Sequence, residues 1–188
     1  SKRSDAHIIP FGVNQNYFKP YPMQAARREL GLALDEKYIL FPWNPERSVK
    51  RVDIIQEAIQ ILQRRKIPVR LIAIHDQPHE IVAKQMNACD AMVLASDHEG
   101  SPMALREAMA CNLPIVSVDV GDVRQIIENV DGCFLCKRDP TDIADKLVIV
   151  LERSTRTNGE QVIRLHDATW SADQVLFLYN HILQARHT

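Results

Sequence analysis

The sequence predicts an α/β domain built on a doubly wound, parallel β-sheet with a Rossmann-like arrangement of helices. Short apolar runs of strand length alternate along the chain with segments whose apolar residues recur at helical spacing. The apolar runs are nearly continuous, which is typical of strands that are buried on both faces. Regular alternation of strand and helix favours parallel pairing with right-handed crossovers. A chain of 188 residues, of which 46% are hydrophobic, can form one domain with a sizeable core.

Five strands and six helices are predicted, in alternating order. The strands are expected at residues 38–41, 69–74, 91–95, 114–118 and 133–136. The helices are expected at residues 52–65, 79–88, 102–111, 123–128, from 139 to about 152 and from 171 to about 184. The polar segment 154–159 is expected to be a loop, and Ser171 is expected to cap the last helix.

The segment between the third and fourth strands, within residues 91–122, carries the strongest functional pattern. Ser101 is a good N-cap residue, and Pro102 suits the first position of the helix that follows. The loop would therefore aim free backbone N–H groups and the positive end of a helix dipole beyond the strand ends, which favours phosphate binding. Two glutamates, Glu99 and Glu107, flank this site. Glu107 lies in a largely apolar helix and needs hydrogen-bond donors to offset its desolvation, unless it simply faces solvent.

Cationic side chains follow the first strand, in the loop 44–51. Ligands of parallel sheets bind beyond the carboxyl ends of the strands, so this loop, Glu99 and Gly121 are expected at one edge of the sheet. Lys50 and Arg47 are the candidates to hold a phosphate there. The alternative is that these basic residues form a solvated entrance to the next helix. Fixed cations can stabilise a departing anion without a metal ion.

Several other classes of function receive no support from the sequence. Neither G-x-G-x-x-G nor a Walker A pattern is present. A net charge of −1 gives no case for nucleic acid or an anionic membrane, no apolar run has the length of a membrane span, and the first residues lack the apolar core of a signal peptide. His75 and His79 do not form a metal-binding H-E-x-x-H motif, and His98 is expected to be loop structure. The four cysteines, which include Cys133 and Cys136 in a C-x-x-C pattern, are expected to be buried thiols of a reducing cytoplasm.

The segment around the two glutamates resembles the signature of the retaining glycosyltransferases of the GT-B fold, in carbohydrate-active family 4 (group 1 type). The family pattern is a glutamate, seven residues, a second glutamate, Ala-Met-Ala-Cys and a strand led by proline. Here it stands as Glu99-GSPMALR-Glu107-AMACNLPIVSVDVGDV. The likeness extends to residues 7–14 and 38–54 and downstream to 139–140 and the last helix. It therefore covers almost the whole chain, but only the C-terminal half of such an enzyme.

The resemblance implies a role for each residue of the pattern. Glu99 would be the catalytic residue, in contact with hydroxyl groups of the donor sugar, and Glu107 would bind the ribose hydroxyls. Lys50 would hold the donor diphosphate. Arg47 would join it from a rearranged loop, because the usual register places the arginine earlier. The residues after Glu99 would reach sugar and phosphate, mainly through backbone N–H groups: Gly100, Ser101, Pro102, Met103, Ala104 and Leu105.

The chain departs from the family pattern in three respects. Asn112 stands where the family usually has glycine, and asparagine tolerates the left-handed conformation of a helix C-cap, so the turn can survive. Residues 75–78 replace a glycine-rich turn, and the segment between the second and third strands is short. The nucleotide base that the site recognises is therefore left open.

The sequence thus predicts one domain over residues 1–188, the nucleotide-sugar-binding half of a GT-B retaining glycosyltransferase. Residues 1 to about 15 would connect it to the other domain, and the helix 171–184 would reach back toward that domain. The whole enzyme would move a hexose-type sugar from a UDP- or GDP-sugar to a saccharide or lipid acceptor, with retention of configuration and without a cofactor or an essential metal. It would act in polysaccharide biosynthesis in the cytoplasm. A start at Ser1, without methionine, suggests an excised fragment.

The isolated half is expected to bind the donor without transferring the sugar, because one wall of the reaction cleft is absent. It is also expected to dimerise through apolar residues of the last helix. Any contact with a membrane surface would come through the other half. Two alternatives stay open: a nucleotide-sugar epimerase on the same scaffold, and a non-catalytic module that binds a nucleotide or a partner chain. Donor turnover separates the first from a transferase, and nucleotide titration tests the second.

Overall fold

The computed structural model describes residues 9, 11–164 and 168–185, and it confirms the predicted α/β fold. Five parallel strands form one sheet in the order β2-β1-β3-β4-β5. The strands are β1 (Lys37–Phe41), β2 (Val69–Ala73), β3 (Ala91–Leu94), β4 (Ile115–Val118) and β5 (Phe134–Cys136). Each of them lies within one residue of its predicted bounds at either end.

The helices flank this sheet, and six of them were predicted. The described helices are α1 (Met23–Glu29), α2 (Val52–Arg64), α3 (His79–Ala88), α4 (Met103–Ala110), α5 (Val123–Ile127), α6 (Pro140–Arg153), α7 (Gly159–Ile163) and α8 (Ala168–Ala185). The sequence did not predict α1 or α7. The expected cap at Ser171 is wrong, because α8 begins at Ala168 and Ser171 lies inside its first turn.

Two separate cores cover the two faces of the sheet, because successive side chains of a buried strand point to opposite faces. In β1, Tyr38 and Leu40 belong to one core, together with residues of α3 and α4. Ile39 and Phe41 belong to the other core, together with residues of α2 and α6. The near-continuous apolar runs of the sequence are thus explained by burial on both sides.

The strand order changes direction at β1, and this change positions a crevice. β1 pairs along its whole length with β2, up to Phe41 and Ala73. With β3 it pairs only at two positions, Ile39 with Ala91 and Leu40 with Met92. The chain leaves β1 toward one side of the sheet and β3 toward the other. Parallel sheets bind their ligands at such a switch point.

Helix α1 is tied to the sheet by one buried arginine. Arg27 is 3% exposed and donates to the carbonyl oxygens of Leu34, Glu36 and Ala88. Its guanidinium also pairs with Asp90 at 2.8 Å. Each N–H group with a named partner offsets part of the cost of burying the charge. The sequence 23–29 lacks an N-cap signal, which is why it was not predicted as a helix.

The four cysteines are free thiols in the structure. Cys89 and Cys111 are buried, and Cys133 and Cys136 are half-buried. Burial raises the pKa of each of the four thiols to about 12. They therefore stay protonated at neutral pH, as expected of thiols with a packing role.

Helix α8 presents most of its apolar side chains to solvent. They are Val175, Leu176, Phe177, Tyr179, Ile182 and Leu183. A contiguous apolar face of this kind usually marks a contact surface. Within the described residues, no helix combines the length and the apolar character that crossing a membrane would require.

Candidate functional site

The crevice at the switch point contains a buried ion pair. Lys50 Nζ lies 2.5 Å from Glu99 Oε1, and the two side chains are only 8% and 11% exposed. The same ammonium lies 4.7 Å from the centre of the Trp43 ring. The predicted cation and the predicted catalytic carboxylate, 49 positions apart in the chain, are therefore in direct contact. Both come from loops that follow neighbouring strands.

These two loops are joined at further points. The backbone N–H of Asp97 donates to the carbonyl oxygen of Val49 at 2.9 Å. The Asp97 carboxylate pairs with Arg51 at 3.2 Å. Arg138, which precedes α6, donates to the carbonyl oxygens of Ala95 and Ser96 at 3.1 and 2.8 Å. The β3–α4 loop is thereby fixed from both sides, which holds the Lys50–Glu99 pair in one place.

The start of α4 differs from the sequence prediction. The helix begins at Met103 with Pro102 at the N-cap position, and no side chain caps it. Ser101 as the cap is therefore wrong, because its hydroxyl donates instead to Asp122 Oδ2 at 2.7 Å. No acceptor among the described residues takes the N–H groups at this helix end, which are those of Gly100, Ser101, Met103 and Ala104. Such a row of N–H groups at a helix N-terminus suits an anion.

The other two residues of the predicted binding loop contribute no free N–H group. Pro102 has none, and the N–H of Leu105 donates to the carbonyl oxygen of Pro102 at 3.1 Å. The Leu105 side chain is fully buried in the core. Their contribution is to hold the turn in place.

Gly121 allows the β4–α5 loop to approach the same turn closely. Its φ is +59°, in the left-handed region, and a Cβ atom there would lie 2.8 Å from the carbonyl oxygen of Glu99 and still closer to that of Gly100. The neighbouring Asp122 donates its backbone N–H to the Gly100 carbonyl oxygen at 3.2 Å. Only glycine fits this position without moving the turn.

Glu107 lies on α4, half-buried rather than free in solvent. Burial raises the pKa of its carboxyl above the ordinary value of 4.5, and the nearby charge of His79 partly opposes this rise. Within the described part of the chain, no group donates a hydrogen bond to its carboxylate. A desolvated carboxylate that lacks donors is a candidate for ligand contact, because protein polar groups that are buried are normally paired.

Arg47 stands apart from this arrangement. Its side chain is exposed, and its guanidinium makes no ion pair with a described residue. The backbone at Arg47 forms the entrance of a short 3₁₀ helix, Ser48–Lys50, through the bond from Lys50 N–H to the Arg47 carbonyl oxygen. The structure thus brings Lys50 and Glu99 together and leaves the exposed Arg47 side chain outside this pair.

Several residues that hold the site together were not found by the sequence analysis. They are Trp43, Asp97, Arg106, Asp122 and Arg138. Their only sequence signal is that each lies in or next to a segment that follows a strand. Among the residues that the structure describes, no group of three or more His, Cys, Asp or Glu side chains could hold a metal ion.

The fold of this chain is that of a known class of proteins. The fold is shared with solved glycosyltransferases that have the GT-B fold. A sucrose-phosphate synthase from Thermosynechococcus elongatus matches with a TM-score of 0.81 at 21% identity, over 95% of this chain and 53% of that one. The Anabaena protein HepE, solved in complex with UDP and glucose, matches with a TM-score of 0.72 at 19% identity, over 93% of this chain and 56% of that one.

Sequence comparison finds a matching family model and similar proteins. Residues 75–153 match the family model for glycosyl transferases group 1. The N-acetyl-alpha-D-glucosaminyl L-malate synthase of Bacillus anthracis is 28% identical, over 77% of this chain and 44% of that protein. The D-inositol 3-phosphate glycosyltransferase of Thermobispora bispora is 28% identical, over 79% of this chain and 43% of that protein. The chain is thus similar to the C-terminal domain of glycosyl transferases group 1, and it spans less than half the length of these two relatives.

Proposed function

We propose that this domain binds the nucleoside-diphosphate sugar of a retaining glycosyltransferase. The observation that carries the proposal is the buried Lys50–Glu99 pair at the switch point, beside the open N-terminus of α4. A buried ion pair has little value for stability alone, since apolar residues of the same volume do as well. At a ligand-binding edge it supplies a fixed cation and a fixed carboxylate side by side.

The diphosphate of the donor would lie between Lys50 and the free N–H groups of the turn 100–104. An ammonium group has three N–H donors, so Lys50 can keep Glu99 and also bind a phosphate oxygen. When the sugar–phosphate bond breaks, negative charge builds on the leaving nucleoside diphosphate. Fixed donors in a partly desolvated crevice stabilise that charge without reorganisation, and they need no metal or cofactor.

The two glutamates would divide the rest of the donor between them. Glu99, held by Lys50, would accept hydrogen bonds from hydroxyl groups of the sugar. Glu107, half-buried and without a donor among the described residues, would accept from the two ribose hydroxyls. Support comes from outside the chain as well, because HepE has been solved with UDP, with UDP and glucose, and with UDP-glucose.

The whole enzyme is proposed to transfer a hexose-type sugar to a saccharide or lipid acceptor, with retention, in the cytoplasm. The names of the relatives support a glycosyl acceptor that carries hydroxyl groups, L-malate in one case and inositol 3-phosphate in the other. The other domain would hold the acceptor, and residues 1 to about 15 would connect that domain to this one. The exposed apolar face of α8 supports a contact with that domain, or between two copies of the isolated chain.

Titration calorimetry with UDP, GDP and ADP tests the proposal. At least one nucleotide should bind the 188-residue chain, and Glu107→Ala should weaken it by about 1–3 kcal/mol. Lys50→Ala should weaken the diphosphate far more than the nucleoside, because its charge meets phosphate oxygens. Arg47→Ala decides whether that loop supplies one cation or two. Equal loss of nucleoside and diphosphate affinity in Lys50→Ala would remove Lys50 from the phosphate site.

A transfer assay tests the half-enzyme proposal separately. The chain should bind the donor but show no sugar transfer, because the acceptor wall of the cleft lies in the other domain. Sugar transfer by residues 1–188 alone would contradict it. Sedimentation analysis of the chain and of Phe177→Asp, on the exposed face of α8, tests whether that face forms a homodimer.

A further inference from the structure

We propose that Asp122 is a positioning residue that keeps the N-terminus of α4 open, by holding the Ser101 hydroxyl away from it. This inference rests on the proposed function, since an open helix end matters only if an anion binds there. It starts from a disagreement between sequence and structure. Ser101 has the residue type of an N-cap and lies directly before the N-cap position, Pro102, yet its hydroxyl caps nothing.

The hydroxyl has two competing sets of partners. As a cap it would accept a hydrogen bond from the N–H of Met103 or Ala104, two or three residues further along. In the structure it donates to Asp122 Oδ2 at 2.7 Å and accepts from Arg106 Nε at 3.4 Å. Its one donor and one of its two acceptor sites are therefore taken by partners other than the N–H groups of the helix end. The N–H groups of Met103 and Ala104 stay free.

Asp122 is itself held firmly in this position. Arg106 Nη2 pairs with the same oxygen, Oδ2, at 2.8 Å, and the Arg106 side chain is only 8% exposed. The Asp122 backbone N–H donates to the Gly100 carbonyl oxygen, next to Ser101. The preceding Gly121 brings the two loops into this close contact. Ser101, Arg106 and Asp122 thus form a preorganised clamp beside the turn.

The clamp has a measurable consequence for the diphosphate. A Ser101 hydroxyl that capped α4 would have to be displaced before phosphate oxygens could take the N–H groups of Met103 and Ala104. Asp122 removes that competitor in advance. On charge alone, deleting a carboxylate near a diphosphate should tighten binding. The clamp predicts the opposite sign, which separates the two explanations.

The test is a cycle of variants titrated with UDP by calorimetry. Ser101→Ala removes the competing hydroxyl and keeps the Ser101 backbone N–H, so its Kd serves as the reference for the double variant. Asp122→Ala should raise the Kd by about 5–10-fold, because the freed hydroxyl caps the helix. The double variant Ser101→Ala/Asp122→Ala should return to within about 2-fold of Ser101→Ala. Asp119→Ala is the matched control, since it removes a carboxylate from the same loop whose ion pair with Arg124 is exposed.

Amide hydrogen exchange of the free protein gives a readout that needs no nucleotide. Asp122→Ala should slow exchange at Met103 or Ala104, and the double variant should restore fast exchange. A double variant that binds UDP as weakly as Asp122→Ala, with no protection in either, would show that Asp122 only supports the loop and would overturn the inference. If the wild type fails to bind any nucleotide, the proposed function fails, while the exchange data still decide whether the clamp holds Ser101 away.

Discussion

Replacement of Lys50 by methionine is the sharpest test of the site, because it removes one charge and keeps most of the side-chain volume. The pair it breaks has side chains only 8% and 11% exposed, so Glu99 would be left desolvated and without its partner. Truncating one member of a buried pair costs about 3–5 kcal/mol. Since both side chains keep some contact with solvent, we expect the lower end, about 3 kcal/mol. For a chain of this size that corresponds to a fall in Tm of about 6–12 °C.

The companion variants make this magnitude interpretable. Glu99→Gln should cost less, about 2 kcal/mol or below, because Lys50 keeps the face of the Trp43 ring at 4.7 Å. Lys50→Met/Glu99→Gln should return to within about 1 kcal/mol of the wild type, since no unpaired charge remains. Lys37→Met is the control. It removes a lysine of β1 whose side chain is 38% exposed, and its partner Asp90 keeps its bond to Arg27.

Urea unfolding at pH 7, followed by far-UV circular dichroism, gives the unfolding free energies of the wild type and the four variants. Calorimetry with UDP gives their affinities. The double variant should be nearly as stable as the wild type and yet bind UDP poorly. This separation of stability from binding is the signature of a functional pair. If the double variant is no more stable than Lys50→Met, or if the double variant binds UDP normally, the reasoning about this pair is refuted.

Three further predictions concern single residues of the site. Gly121→Ala should cost about 3 kcal/mol or more in unfolding free energy and should weaken UDP binding. In the control Gly31→Ala, φ is also positive but no atom lies within 4 Å of the added Cβ, so only the backbone strain of about 1–2 kcal/mol should be lost. Similar losses in both variants would refute the close approach at Gly121. Glu107→Gln should raise the unfolding free energy at pH 7, and the gain should shrink toward pH 4. Burial raises the pKa of this carboxyl in the folded state, so the charged form costs stability above the raised pKa and nothing below the ordinary value of 4.5. An equal gain at both pH values would contradict this. Asn112→Gly should relieve a left-handed φ of 54° but lose the hydrogen bond from the Glu160 N–H to the Asn112 side chain at 2.7 Å. Hydrogen exchange should therefore show faster opening of α7. Unchanged exchange there would show that Asn112 does not anchor α7.

The sequence predicted Asn112 as a tolerated substitute for glycine, and the structure confirms its left-handed conformation. It also shows a second role that no local pattern indicates. The side-chain amide accepts the N–H of Glu160, and the Asn112 carbonyl accepts the N–H of Thr157. These residues lie more than 40 positions away in the chain. Helix α7 is too short and too weakly patterned to be predicted alone, and it depends on such contacts.

The sequence by itself determined the order of the five strands and of six helices and the parallel sheet, and it indicated the edge at which a ligand is proposed to bind. Those properties follow from local periodicity and from the chirality of the chain, which act over a few residues. The resemblance of residues 99–122 to a known signature added the likeness to glycosyl transferases group 1, which the comparisons confirm.

Only the tertiary structure decided which side chains of the site contact each other. It paired Lys50 with Glu99, placed Trp43 against the ammonium, and turned the Ser101 hydroxyl from the helix end to Asp122. The Lys50–Glu99 and Ser101–Asp122 contacts join residues that lie 49 and 21 positions apart in the sequence. A hydroxyl or a carboxylate takes whichever partner the packed loops bring within hydrogen-bond distance. The local propensity of Ser101 for capping was therefore overridden by a carboxylate 21 positions away.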